Sequence, residues 1–212
     1  NVNLPVYECS LVISSNYRNI EYLMTHQDSR LQSAFRHRIA TSADIPAIIE
    51  LMKLSIAENM KPYLSTEEIE AAKETMGVDR TLIEDGTYFI IETSVKKRPQ
   101  MVGCGGWGKR KTLYGGDHTV GRDDNFADPS TDAARIRAMY AHPEWTRKGI
   151  GSLLLQLGEQ AARDAGFSII ELGSTLSGEA LYLKCGYREV SRETLIAENG
   201  SDNLVITMVK QL

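Results

Sequence analysis

From Arg38 onward the chain alternates between two hydrophobic periods. Arg38-Ile39-Ala40 reads as a short strand, and Thr41 and Ser42 after it are candidates to cap a helix. Pro46 then falls in a first turn, where its missing N–H costs little. Ile45, Ile48, Ile49, Met52 and Ile56 recur with the 3.6-residue period of that helix. Ser65-Thr66-Glu67-Glu68 has the form of a capping box and Gly77 that of a C′ stop, which predicts a second helix between them. Residues 87–95 (TYFIIETSV) are β-branched and aromatic, Lys96 to Pro99 read as a turn, and Met101 to Trp107 complete a predicted hairpin. Residues 115–133 lack an apolar period and predict a polar loop, after which Arg135 to Ala141 is again strand-like. The strongest helix is predicted over Gly149 to Ala165, with Ile150, Leu153, Leu154, Leu157, Ala161 and Ala165 on one face and Gly166 to end it. Phe167 to Leu172 reads as a strand, Gly178 to Lys184 as a short helix, and Tyr187 to Val190 and Leu204 to Val209 as two more strands.

The predicted order, β-α-α-β-β-β-α-β-α-β-β, is that of an α/β domain around one sheet, not of a doubly wound array. It occupies residues 38–212. Residues 1–37 form an N-terminal extension. In it Ile20, Leu23, Met24, Leu31 and Phe35 fall mostly on one helical face, so a helix packed on the main body is expected, with a mobile tail as the alternative.

Composition narrows the classes. The chain has 212 residues, 42% hydrophobic and 25% charged, a globular mixture that excludes a mainly disordered chain or a coiled coil. No apolar run reaches a membrane-spanning length, since Gln156 interrupts even Leu153-Leu154-Leu155. Asn1 to Pro5 shows neither a basic n-region nor a long apolar h-region, so no secretory signal is expected. A net charge of −4 argues against a nucleic-acid partner. Cys9, Cys104 and Cys185, odd in number and far apart, do not make a disulfide framework. The expectation is a cytoplasmic protein without membrane or nucleic-acid partners.

Two glycine runs suggest nucleotide chemistry. Gly103, Gly105 and Gly108 fit G-x-G-x-x-G, and Gly103, Gly108 and Lys109 fit the start of a P-loop. Both motifs need a helix to open at the glycines, because the phosphates sit on its N-terminus. Lys111 to Gly116 has no helical face, and Arg110 stands where a P-loop needs a hydroxyl. A glycine-rich strand beside a ligand or another backbone is the better reading. The second run, His142-Pro143-Glu144-Trp145-Thr146-Arg147-Lys148-Gly149-Ile150-Gly151-Ser152, lies between a predicted strand and the strongest helix. Its glycines leave backbone N–H groups uncovered, the helix dipole adds partial positive charge, and Arg147 and Lys148 add two cations. Such a site suits a diphosphate.

With that strand, loop and helix in place, the chain resembles the GNAT superfamily of acyl-CoA-dependent N-acetyltransferases. The family's pyrophosphate loop, R/Q-x-x-G-x-G/A, falls on Thr146-Arg147-Lys148-Gly149-Ile150-Gly151; Thr146 departs from the pattern, and Arg147 carries basic charge one residue on. The preceding Met139-Tyr140-Ala141-His142-Pro143 resembles the central strand whose backbone pairs with the pantetheine arm. A second signature, N-x-x-A-x-x-x-Y/F-x-x-x-GF, is similar to Ser177 through Tyr187, with Ser177 in place of Asn and Ala180, Tyr182 and Gly186-Tyr187 at family positions. The resemblance spans about residues 38–210. It implies a single mixed, mostly antiparallel sheet flanked by helices, and acetyl-CoA as co-substrate. It places Met139, Ala141 and Thr146 through Ser152 at the cofactor, and Tyr182 as the acid beside the sulfur. Homodimers are common among such relatives.

The implied reaction is direct attack of a primary amine on the acetyl thioester in a ternary complex. An alkyl amine of pKa ~10.4 is neutral about 0.04% of the time at pH 7, equivalent to roughly 4.6 kcal/mol, so a base or a lowered pKa is required. Candidate bases are Glu92, Glu171, His118 and His142. The strand position where many relatives carry Glu falls within Arg135-Ile136-Arg137, whose cations suit either an acidic group on the acceptor or acidic neighbours in the fold. His142-Pro143-Glu144 has the H-x-E form of zinc deaminases, but no C-x-x-C follows, and no metal is expected. The acceptor class expected is a small-molecule amine. The alternatives are a protein N-acetyltransferase, a non-catalytic acyl-CoA-binding domain, and a nucleotidase built on Gly108-Lys109.

Overall fold

A computed structural model describes residues 35–95, 98–117, 122–196 and 200–212. The helix expected around Ile20 to Leu31 lies outside the described residues. Seven strands form one sheet in the order β1-β2-β3-β4-β5-β7-β6: β1 (Arg36–Ile39), β2 (Tyr88–Val95), β3 (Arg98–Gly108), β4 (Ala134–Ala141), β5 (Ile169–Ser174), β6 (Arg188–Ile196) and β7 (Asp202–Gln211). The helices are α1 (Ile45–Asn59), α2 (Thr66–Thr75), α3 (Arg80–Glu84), α4 (Ile150–Asp164) and α5 (Leu176–Lys184). β2–β3, β3–β4, β5–β7 and β6–β7 pair antiparallel, and β4–β5 pair parallel. The mixed, mostly antiparallel sheet is the one the sequence implies.

Local chemistry sets the helix starts. Thr41 caps a short 3-10 turn, Ser42–Asp44, rather than α1 itself. Its N–H and hydroxyl both donate to Asp44 Oδ2, at 2.8 and 2.9 Å, and Arg38 grips the same carboxylate with two nitrogens at 2.7 and 2.8 Å. Pro46 stands in the first turn of α1. At α2 the expected box is complete: Glu68 N–H donates to Ser65 Oγ, and Ser65 N–H to Glu68 Oε2 at 2.7 Å. Gly77 departs from its expected role. The residue after α2, Met76, is extended, and Gly77 is not left-handed; Gly116 packs so closely on it that a Cβ there would come within 2.7 Å of the Gly77 Cα.

α3 has no counterpart in the sequence reading, since five residues are too few to display a period. α4 is rotated from its predicted face. Its buried positions are Ile150, Leu154, Leu155, Gly158, Glu159 and Ala162, while Leu153, Leu157 and Ala161 are half-buried and Ala165 exposed. Gly158 explains the turn: Ile136 and Trp107 close on it, with Ile136 Cδ1 only 2.8 Å from where a Cβ would stand. The helix therefore lays its small residues on the sheet. The opposite sheet face carries Tyr88, Ile90 and Cys104 against Ile48, Ile56 and Leu82 of the other helices. Among the described residues no helix is long and apolar enough to cross a membrane.

Candidate active site

The cleft begins where β4 and β5 separate. They pair only at Ala134–Ile170 and Arg135–Glu171, so among the described residues the rest of β4 faces no partner strand on that side. A bulge interrupts the β3–β4 register between Cys104 and Gly106, and opposite it Ala138 takes φ +50°, an uncommon conformation for a residue with a Cβ. Past the bulge, His142 N–H donates to Val102 O at 2.9 Å across to β3. Strand alternation then turns the N–H groups of Ala141 and Met139 toward the open side. The Ala141 carbonyl is taken by Asn59 Nδ2 at 2.8 Å.

The loop from β4 to α4 starts as a 3-10 turn, Pro143–Trp145. The Thr146 hydroxyl donates to Pro143 O at 3.0 Å, so this hydroxyl closes the turn and the loop's cationic charge comes from its neighbours. Lys148 Nζ donates to Glu144 O at 2.9 Å and sits 4.4 Å above the Trp145 ring. Arg147 is exposed, left-handed at φ +60°, and holds no carboxylate among the described residues. Gly149 is left-handed too, φ +89°, and is the N-cap of α4; its carbonyl accepts Leu153 N–H at 2.9 Å. The first amides of α4, Ile150 through Ser152, precede that first intrahelical donor and remain open to an acceptor. Amides, dipole and free guanidinium together suit a diphosphate. Gly151 also serves the packing of helices. A Cβ there would lie 2.6 Å from Leu181 Cδ2 of α5, so the glycine lets α4 and α5 meet.

α5 carries Tyr182. Its ring meets that of Tyr187 edge-on, with centroids 5.9 Å apart, and another edge lies where a Gly178 Cβ would be. Burial, with a smaller contribution from Cys185, pushes its phenol up to about 12. At the α5 N-terminus the Thr175 and Ser177 hydroxyls are 2.9 Å apart.

The candidate bases fare unevenly. Glu92 accepts from Arg38 Nε at 3.1 Å, and Glu171 from Arg135 at 2.8 Å. His142 Nδ1 accepts Glu144 N–H at 3.3 Å, and His118 lies outside the described residues. Arg135 and Arg137 do not reach toward an acceptor. Arg137 is buried, donating to Asp79 at 2.7 Å and to the carbonyls of Thr112 and Gly115. Asp79, 1% exposed, and Arg122, which reaches it at 3.2 Å, are the partners that composition could not pair with it. Among the described residues no group of three or more His, Cys, Asp or Glu gathers as for a metal.

The run Gly103 to Gly108 lies in β3, between β2 and β4, with no helix after it. Ile150 fills the space beside Gly103, Met139 that beside Gly105, and Thr87 and Tyr88 that beside Gly106. The glycines permit close packing under the cleft, and the nucleotide-binding reading is set aside.

A model of the acetyltransferase (GNAT) family matches residues 49–187. None of the curated proteins compared matches the chain significantly. Solved structures with the same fold include a GCN5-related N-acetyltransferase from Rhodopseudomonas palustris, 20% identical with a TM-score of 0.60 over 84% of this chain and 96% of that one. PaiA N-acetyltransferase from Thermoplasma acidophilum, in complex with coenzyme A, is 18% identical with a TM-score of 0.56 over 84% and 99%. YncA from Salmonella typhimurium, with its cofactor acetyl-CoA, is 17% identical with a TM-score of 0.55 over 84% and 94%. Identities this low carry the fold alone, whereas the family model covers β2 to β5, the loop between β4 and α4, and α5. The chain belongs to the GNAT acetyltransferase family.

Proposed function

We propose that the protein transfers the acetyl group of acetyl-CoA to the primary amine of a small molecule, by direct attack in a ternary complex. The observation that carries the reading is the junction of two features. A helix N-terminus with left-handed Gly149 and a free Arg147 adjoins the cleft where β4 leaves β5. The first suits the diphosphate of acetyl-CoA. The second offers strand amides to its pantetheine arm and thioester, through Met139 and Ala141.

Tyr182 serves the departing thiolate. With the phenol at about 12 and a thiol near ~8.5, complete proton transfer is uphill by roughly 3.5 pKa units, or about 5 kcal/mol. Its role is therefore a hydrogen bond to the developing thiolate more than outright protonation. Glu92 and Glu171 are committed to arginines, so we assign removal of the amine proton to water in the cleft. The same pairing favours one second reading, an acyl-CoA-binding domain without turnover. The free thiols of Cys104 and Cys185 accord with a reducing, cytoplasmic setting.

Thermal unfolding with acetyl-CoA tests the binding half. At a hundred times Kd, one site adds about 2.7 kcal/mol, which for a chain this size raises Tm by roughly 5 to 10 °C. Arg147→Gly keeps the left-handed backbone and removes the cation, and is expected to shrink the rise, most at low salt. No rise in the wild type contradicts the reading.

A further inference from the structure

We propose that the Tyr88 hydroxyl, with the Asn59 carboxamide at the other end of the segment, is a positioning group for acetyl transfer, fixing residues 138–141 so that the Met139 N–H is aimed into the cleft. The inference rests on the acetyltransferase reading above and assigns roles to two residues outside the family's motifs.

Tyr88 stands in β2, two strands from the cleft, with its side chain fully buried. Its hydroxyl lies 3.0 Å from the Ala138 carbonyl and 3.3 Å from Cys104 Sγ. A phenol has one proton, and a carbonyl can only accept. The proton therefore goes to Ala138 O, and the Cys104 thiol donates to the phenol oxygen. The bond from Tyr88 ends at the bulge of β4, on Ala138, where φ is +50°.

Peptide geometry converts that anchor into a direction. In a planar trans peptide the C=O and N–H point opposite ways. The Ala138 carbonyl and the Met139 N–H share one peptide. Drawing the carbonyl toward Tyr88, on the face of α1 to α3, turns the N–H away from that face. The next anchor holds the far end: the Ala141–His142 peptide gives its carbonyl to Asn59 Nδ2 at 2.8 Å and its N–H to Val102 O at 2.9 Å. Asn59 is itself held, through Ser55 Oγ at 3.1 Å. Between these anchors β4 has no partner strand on the β5 side among the described residues. An amide donor stabilises a tetrahedral oxyanion best when it is fixed before charge develops, since no reorganisation is then needed during reaction. Burial raises the Tyr88 phenol well above its ordinary value, so the anchor persists through neutral and alkaline pH.

The test compares three variants of the full chain. Tyr88→Phe keeps the ring and removes the anchor. Asn59→Ala releases the other end. Cys104→Ala removes a buried partner of the same hydroxyl but leaves the bond to Ala138. Tyr88→Phe and Asn59→Ala are expected to lower kcat by roughly tenfold or more with KM for acetyl-CoA within about threefold, whereas Cys104→Ala keeps kcat within about twofold. Without ligand, the Tyr140 amide, paired to Cys104 across β3–β4, is expected to exchange roughly tenfold faster in the first two variants, with β6–β7 amides unchanged. Equal kcat losses in all three variants, or unchanged kcat and Tyr140 exchange in the first two, would overturn the proposal. If Tyr88→Phe does not fold, Asn59→Ala against Cys104→Ala decides. Should the wild type turn over no amine, the acetyltransferase reading fails separately; selective loss of Tyr140 protection then still supports the anchor, and its absence still overturns it.

Discussion

Tyr182 is a neutral phenol at every pH where an amine acceptor is usefully assayed, because burial holds its titration at about 12. Two consequences follow at this residue. Tyr182→Phe is expected to lower kcat on the order of a hundredfold while leaving acetyl-CoA affinity nearly unchanged, read from steady-state kinetics beside a direct binding titration. The wild-type pH profile should carry no limb from Tyr182 below about pH 10; the rise of rate with pH is set by the amine losing its proton. Motif position singles out Tyr182 and Gly149 in the sequence, and Arg147 enters as the cation next to the motif's basic position. It could not tell that the Thr146 hydroxyl turns back onto Pro143 or that Arg137 is buried on Asp79. Those partners lie 3 and 58 residues away, and no period or motif links Asp79 to Arg137.

Between elements, α4 and α5 meet where Gly151 faces Leu181. The family pattern admits Ala at Gly151, but in this chain Leu181 occupies the space. Gly151→Ala is expected to cost roughly 1–3 kcal/mol by overpacking and to displace the helix that carries Tyr182. Adding Leu181→Ala should recover part of that loss, so the double variant is more stable in denaturant unfolding than the sum of the singles implies. At the start of α1, the hydrogen bond from Arg38 and those from Thr41 hold the Asp44 carboxyl well below the usual carboxylate range. A depressed folded pKa contributes stability that is present above the unfolded value, 3.8, and is lost as pH falls below it. The Tm gap between wild type and Asp44→Asn should therefore be constant from pH 7 to about 5 and narrow below about 4. Why some elements were legible and others were not has the same physical root. α1, α2 and the β2–β3 hairpin have caps, periods or β-branched runs of their own. α3 buries Leu82 and Ile83 but is only five residues long, too short to display a period, and β6 is exposed along nearly its whole length, so its sequence reads as a strand only at the start, through Val190. The rotation of α4 is set by Gly158 against Ile136 and Trp107, a match of surfaces far apart in sequence.

At the scale of the molecule, the sheet does two things at once. Its helical faces bury the core, and the divergence of β4 from β5 after Arg135 opens a cleft lined by backbone that no neighbouring strand consumes among the described residues. The glycines from Gly103 to Gly106 let Ile150, Met139 and Tyr88 pack tightly against β3. Release of free thiol from acetyl-CoA, followed across a panel of primary amines, tests the central claim most directly. Saturable release is predicted with at least one amine, at a rate that falls in Tyr182→Phe. Acetyl-CoA binding without release on any amine would contradict it and leave a binding domain in place of an enzyme.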